Sequence, residues 1–368
     1  MGEMNAMPTA PTSPHESGIA TPGGPVDGPA AWYGADLARS DDWIYTMTPA
    51  ELDELDRALR VSEERCARII DIGPDSFPLP TVAAKLHAIR DDVMEGRGGA
   101  LLRQIPVDRY SREEVARLYV GIGRHMGTLR SQNADGHLLG HVCDIGHDHH
   151  HNAFQRGYGA AGPLGFHTDS VDMVALMCLH AAKSGGDSKL ASSVTVHNEV
   201  WKRRPDLAPL MFEPVYRDRR GEIPEGKDPW WTMPVFQWHE GNLFSHYSSV
   251  YIRSAQRFRE AKRLTDEQFE FFEFMEAVAN EPDVCLRSPF AAGDIQFVNN
   301  HHVFHGRDAY EDWPEPERRR HLLRLWICPP EGPVLPPSYA ERYGDIGIGN
   351  RGGIVVPGSE FKAPLTPL

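Results

Sequence analysis

The side chains of this chain best suited to metal chemistry are its histidines and acids, and local context separates two similar-looking candidates. With 18 histidines and 52 acidic residues a His-x-acid triplet is common by chance, and the sequence holds two: His167-Thr168-Asp169 and His197-Asn198-Glu199. The second runs into Val200-Trp201-Lys202-Arg203 and reads as the start of a helix. Residues two apart on a helix point to nearly opposite sides and cannot grip one ion. His167 and Asp169 stand between Gly165-Phe166 and the apolar run Met173 to Leu179, an extended context. Positions i and i+2 of a strand share a face, so an imidazole and a carboxylate can converge there.

A third ligand must come from another segment. Gly293-Asp294 turns into the apolar stretch Ile295 to Val298, after which come Asn299-Asn300, the candidates His301, His302 and His305, and Gly306-Arg307. Two histidines with one carboxylate leave three adjacent positions open on an octahedral ion, a set that favours Fe(II) with room for a chelating cosubstrate and O2. The same triad around Zn2+ would serve a hydrolase that activates bound water. A non-catalytic sugar- or metal-binding protein is a third reading. The tract His147-Asp148-His149-His150-His151 resembles a metal site, but adjacent ligands in a loop rarely close one coordination sphere. It reads as a solvated or substrate-side loop.

Helices precede the candidate ligands and strands carry them. Thr48-Pro49-Ala50-Glu51 is a capping box with proline at the first helical position, followed by Leu52, Leu55 and Leu59 on one face. Val82, Leu86, Ile89 and Val93 repeat at the helical period, stopped by Gly96, Gly98 and Gly99. Ala100 to Ile105 reads as a strand, and Ser111 opens a third helix with Val115, Leu118 and Ile122 inward. From about residue 130 the pattern changes to short apolar runs between Gly, Pro, Asn and Asp, such as Met173 to Leu179, Met233 to Trp238 and Ile295 to Val298. These read as strands of a sandwich or barrel. Thr265 and Gln268 cap one interrupting helix, lined by Phe269, Phe272 and Met275. Trp230-Trp231 reads as a loop anchored by its apolar rings. Residues 1–30 lack large apolar groups and read as a disordered tail. Residues 31–368 form one domain: a helical part over 45–127, a β core over about 130–330, and a wrap over 331–368.

Composition narrows the function classes. A formal charge of −14, from 38 basic and 52 acidic residues, argues against a nucleic-acid partner. Five cysteines are scattered, odd in number and without a CxxC pair; four sit in apolar or mixed stretches and read as reduced thiols, as expected of a cytoplasmic protein. No apolar run approaches a membrane span, and the N-terminus lacks a secretory profile. The partner expected is a small-molecule substrate.

Taken in order, the segments resemble the taurine dioxygenase/TfdA superfamily, and in detail its clavaminate-synthase-like branch. The family's pattern is His-x-Asp/Glu, then Gly-Gly-(Asp/Glu)-Ser/Thr, then Gly-Asp before a strand, then Asn-x-x-x-x-His-(Gly/Ala)-Arg, and finally Arg-x-x-x-Arg. This sequence supplies His167-Thr168-Asp169, Gly185-Gly186-Asp187-Ser188, Gly293-Asp294, Asn300 through His305-Gly306-Arg307, and Arg320 through Arg324, over about residues 130 to 330. The resemblance implies a mainly β fold with flanking helices around a double-stranded β-helix (jelly-roll) core. It implies His167, Asp169 and His305 as iron ligands, with His301 and His302 structural. It also implies an Fe(II)- and 2-oxoglutarate-dependent dioxygenase that uses O2 to oxidise a small molecule, hydroxylation being the default, with release of succinate and CO2. The distal carboxylate of 2-oxoglutarate would be forked by Arg320, assisted by Arg324 on the same strand face and by the Ser188 hydroxyl. Arg318 and Arg319 read as an exposed basic edge offset by Glu315 and Glu317. Asp169 disfavours halogenation, for which related enzymes replace the acidic ligand with a small residue. The hydrolase reading leaves Ser188 and Arg320 unexplained. The primary substrate rests on variable loops and is not legible.

Overall fold

The alternation of side chains along the strands decides the architecture. In the computed structural model, which describes residues 23–147, 157–356 and 358–367, two sheets face each other. Their strands are β1 (Ile44–Thr46), β2 (Gly99–Arg103), β3 (Thr128–Arg130), β4 (Leu139–Val142), β5 (Leu164–His167), β6 (Met173–His180), β7 (Ser188–Ser192), β8 (Cys285–Ser288), β9 (Ile295–Asn299), β10 (Val303–Arg307) and β11 (His321–Cys328). The seven-stranded sheet runs β1-β2-β9-β6-β11-β3, with β4 also on β11. The four-stranded sheet runs β8-β7-β10-β5. Every pair is antiparallel except β1 with β2.

On β11, Leu323, Leu325 and Ile327 join an outer core, while Leu322, Arg324 and Trp326 alternate to the other face. The outer core is completed by helices α1 (Pro49–Arg65), α2 (Val82–Glu95) and α3 (Arg112–Met126). The caps read from the sequence are present: Thr48 accepts from the Glu51 N–H, and Ser111 from the Glu114 N–H. Leu86, Ile89 and Val93 are fully buried, each contributing about 1.5–3 kcal/mol. Helices α4 (Ser193–Arg203) and α5 (Asp266–Asn280) cover the outside of the smaller sheet, against Ala191 and Phe304. Between the sheets lie Val174, Val298 and Trp326 from one and Leu190, Leu286 and Val303 from the other. Two facing sheets with helices on both outer faces are consistent with the jelly-roll core expected.

Some boundaries differ from the sequence reading. Residues 23–30 are not all tail, because Asn198 grips the backbone of Val26 through both its amide atoms at 2.7 Å. Trp230-Trp231 begins a strand, Trp230–Met233, paired with Val215–Asp218. The expected strand Met233 to Trp238 is broken at Pro234 and resumes at Phe236–His239. Arg318 ends a short 3-10 turn before β11, so it does not share the strand face. It stacks on Trp313 and pairs with Glu315 at 3.7 Å, as an exposed basic edge would. The C-terminal wrap is ordered against the core: Gly353 N–H donates to Ser170 O and Ile354 N–H to Ser131 O, both at 2.8 Å.

Candidate metal centre and its two cavities

Each proposed ligand is delivered by a different local rule. His167 ends β5 and His305 lies on β10, paired in register across a bulge, so their rings meet at 4.3 Å between centroids. Asp169 follows β5 in a stretch held to the Ser248 region: the Thr168 N–H donates to Tyr247 O at 2.8 Å, and Tyr247 N–H returns a bond to the Thr168 hydroxyl at 3.0 Å. The Asn300 amide oxygen accepts the Asp169 N–H at 2.8 Å. The ligand atoms of His167, Asp169 and His305 lie within 4.8 Å of one another, the one such set of three among the described residues. His167 Nδ1 bonds Gly165 O at 3.0 Å, which makes Nδ1 the protonated nitrogen and leaves Nε2 a lone pair for an ion.

Charge is arranged to keep the set ready for a cation. Burial pushes the His305 imidazole down to about 3, aided by the neighbouring His167, and burial also lowers His167. Burial alone would raise Asp169; Arg324, His305, His167 and the Trp326 N–H outweigh it and hold the carboxyl below its usual range. Two neutral imidazoles and one carboxylate are therefore present at neutral pH, the protonation a divalent ion needs. Trp326 Nε1 donates to Asp169 Oδ2 at 2.8 Å, and Arg324 Nη1 reaches the same oxygen at 3.4 Å.

From the triad a narrow cleft runs past Leu176, Ser188 and Phe290 to Arg307 and Arg320. Both guanidiniums are buried and flank Tyr310, at 4.7 and 5.0 Å from its ring. Burial pushes Arg307 down to about 10 and lowers Arg320 as well. Arg320 Nη1 has no hydrogen-bond partner among the described residues. A buried cation with an unused donor is costly without an anion beside it, so the end of this cleft fits the distal carboxylate of a dicarboxylic acid. Gly186, at φ +77°, lies against Arg320; a Cβ there would come within 3.1 Å of Nε. Ser188 Oγ donates to Gln296 Oε1 at 2.7 Å while Gln296 Nε2 lacks a partner. Turning the amide over makes Nε2 the donor and releases the Ser188 proton toward the cleft.

Other sequence candidates lie away from this triad. His301 Nε2 lies 2.7 Å from Asp172 Oδ1, and buried His302 is held down to about 4. His197 sits inside α4, accepting the Trp201 N–H at 3.1 Å. Arg324 lines the same cleft as Arg320, with its guanidinium turned to Asp169 and to Gln132 Oε1, 2.7 Å from Nε. Gln132 itself lines the cavity, just beyond β3. Of the histidine tract, residues 148–151 lie outside the described residues. Sequence reasoning passed over Trp326, although it shares the inner face with Arg324 two residues earlier. It also assigned no role to Arg307 or Asn300.

Two facing sheets with a His/Asp/His set between them, opening on an arginine-ended cleft, are an arrangement that suits a non-haem iron oxygenase of the 2-oxoglutarate type. The family described as taurine catabolism dioxygenase TauD, TfdA family, matches residues 63–326, and the chain belongs to it. It is 29% identical to an FR-33289 synthase of Streptomyces rubellomurinus, over 85% of this chain and 93% of that protein. It is 28% identical to the taurine hydroxylase-like protein SAT17 of Stachybotrys chartarum, over 83% of each. Among solved structures, an asparagine oxygenase in complex with Fe(II), hydroxyasparagine and succinate shares the fold with a TM-score of 0.59 at 16% identity, over 77% of this chain and 93% of that one. The non-heme iron oxygenase OrfP with Fe and alpha-ketoglutaric acid shares it with a TM-score of 0.54 at 17% identity, over the same shares. The protein is an Fe(II)- and 2-oxoglutarate-dependent dioxygenase of that family. None of its described helices is long and apolar enough to cross a membrane.

Proposed function

We propose that His167, Asp169 and His305 hold the iron, and that Arg320 with Ser188 holds the distal carboxylate of 2-oxoglutarate. Arg324 and Trp326 then fix the Asp169 carboxylate where the cosubstrate cleft meets the substrate cavity. The observation that carries this assignment is the continuity of one cleft from the triad to the unpartnered Arg320 Nη1. Iron with 2-oxoglutarate and O2 supplies oxidation of a C–H bond with release of succinate and CO2, and hydroxylation is the product outcome proposed. The chain's own part is positional. Gly165 O orients the His167 ring, and Asn300 and Trp326 orient Asp169. Arg324 lines both the cleft and the larger cavity, so it stands between cosubstrate and substrate.

A reducing cytoplasm fits the five cysteines, all of them free. The contacts of the wrap with Ser131 and Ser170, and of Val26 with Asn198, favour the folded residues from about Val26 through the wrap as one functional unit. The test is a screen of amino acids, their derivatives and other small metabolites for substrate-dependent succinate release. The active compound should yield a product heavier by one oxygen atom, and His305→Ala should abolish release. Full release by that variant would remove His305 from the iron.

A further inference from the structure

The far end of the cosubstrate cleft holds more positive charge than Arg320 alone supplies. Arg307 lies two residues beyond His305 on β10, and its partner across the sheet on β7 is Ser188. Residues two apart on a strand share a face, and so do direct cross-strand partners. His305, Arg307 and Ser188 therefore point to one side, and all three line the cleft. Arg307 is 4% exposed. Its Nη2 donates to the backbone carbonyls of Ala160, at 2.6 Å, and of Gly162. Its Nε and Nη1 are buried and meet no hydrogen-bond partner among the described residues.

Around Arg307 the charges do not balance. Asp312 and Asp144 attract it, and Arg320 repels it. Asp312 already accepts the Arg320 backbone N–H through Oδ1 at 2.6 Å. The Arg307 and Arg320 guanidiniums lie 4.7 and 5.0 Å from the Tyr310 ring, and Arg320 Nη1 is unpartnered as well. Two buried like charges with idle N–H groups are costly unless an anion lies between them. A carboxylate offers about four lone-pair sites on two oxygens, enough for both guanidiniums.

We propose that Arg307 is a second binding residue for the distal carboxylate of 2-oxoglutarate, and that it ties this carboxylate to the wall of the larger cavity. The tie follows from Nη2. The backbone it holds at residues 160–162 runs on through Pro163, Leu164 and Gly165, which line that cavity, to the ligand His167. Tyr310 N–H fastens the same segment at Ala161 O, 3.2 Å away. With the carboxylate on its free edge and the backbone on the other, the guanidinium lets cosubstrate binding stiffen this wall. The proposal rests on the cosubstrate reading above, which gave that carboxylate only Arg320 and Ser188.

The experiment is calorimetric titration of the full chain, first with Ni2+ and then, once loaded, with 2-oxoglutarate. Arg307→Gln should weaken 2-oxoglutarate about tenfold or more with nickel uptake unchanged, and Arg307→Lys, which keeps the charge, should regain part of the affinity. Hydrogen exchange of the amides in residues 159–166 supplies the second readout. Saturating 2-oxoglutarate should slow it about fivefold or more in the wild type and leave it unchanged in Arg307→Gln. Full 2-oxoglutarate affinity in a folded Arg307→Gln, loss of nickel together with the cosubstrate, or a folded Arg307→Lys as weak as Arg307→Gln would each overturn the binding role. Exchange that ignores 2-oxoglutarate in the wild type, or slows equally in both proteins, would overturn the tie. If Arg307→Gln does not fold, Arg307→Lys decides: about threefold weaker binding or more is expected, and wild-type affinity would overturn the role. A wild type that takes up nickel but no 2-oxoglutarate would instead count against the oxygenase reading itself.

Discussion

Two buried aspartates three residues apart show how the same side chains build either a structural knot or a metal site. Asp172 is gripped by Arg351 Nε on both oxygens, at 2.9 and 3.0 Å, and meets His301 at 2.7 Å and the Cys328 thiol at 3.4 Å. Asp169 is held by one short bond, from Trp326 at 2.8 Å; Arg324 stands at 3.4 Å and His305 at 3.9 Å. Both have an aspartate, an arginine and a histidine. In the first set every partner is within direct hydrogen-bonding reach and the group ties the wrap to the core. In the second the histidines stand off, and the space between them is where an ion fits. Looseness of that size is what the proposed metal site needs and the Asp172 cluster lacks.

Truncating each acid should give opposite phenotypes. Asp172→Ala leaves Arg351 buried without its partner, and should cost about 3–5 kcal/mol of stability, seen as a large fall in Tm by calorimetry. Asp169→Ala should keep most of the stability and lose iron, measured as metal per folded chain after equilibration. Equal losses of stability in the two variants would dissolve the distinction.

At the far end of the cleft, Arg320→Ala removes a charge-assisted contact worth about 1.5–3 kcal/mol. The 2-oxoglutarate concentration for half-maximal succinate release should rise about 10- to 100-fold. Arg324→Ala should act mainly on iron retention and substrate response. A larger 2-oxoglutarate effect from Arg324 than from Arg320 would exchange their assignments.

The second His-x-acid triplet offers a pH test. Burial holds His197 down to about 4 in the fold, against an ordinary value of 6.5. As pH falls below 6.5 the unfolded chain takes up this proton before the native one does, so stability drops between pH 6.5 and 4 and is unaffected above that window. At pH 5.5 the loss is about 1.4 kcal/mol from this residue, and denaturant unfolding of His197→Gln should show a correspondingly shallower decline. An identical decline would mean that His197 is not a neutral core residue.

Least severe is Trp326→Phe, which keeps the ring and deletes one hydrogen bond to Asp169. About 1 kcal/mol, roughly a fivefold weaker hold on iron, is expected with little change in Tm. Unchanged iron affinity would show that Arg324 alone fixes the carboxylate.

Those features that obey a short-range rule were legible in the sequence. The period of two put His167 and Asp169 on one extended stretch, capping boxes marked α1, α3 and α5, and ordered motifs pointed to His305, which the fold brings beside those two. Trp326 could have been read by the same alternation that paired Arg320 with Arg324, and Arg307 by its place two residues beyond His305. The contacts of the wrap could not. The wrap has no periodic pattern, and the bond from Arg342 to Ser170 joins residues 172 apart. The strand Trp230–Met233 is bounded by Pro229 and Pro234 and reads locally as a loop. The tail boundary was misread for a similar reason: Val26 is ordered by Asn198, not by its own neighbours.

Anaerobic addition of Fe(II) and 2-oxoglutarate, followed by visible absorption, tests the shared ion most directly. Wild-type protein should develop the weak charge-transfer band of a keto acid chelated to ferrous iron, and His167→Ala, Asp169→Ala and His305→Ala should each lose it while remaining folded. Absence of the band from intact wild-type protein, or its persistence at full strength in any of those three variants, would contradict the assignment.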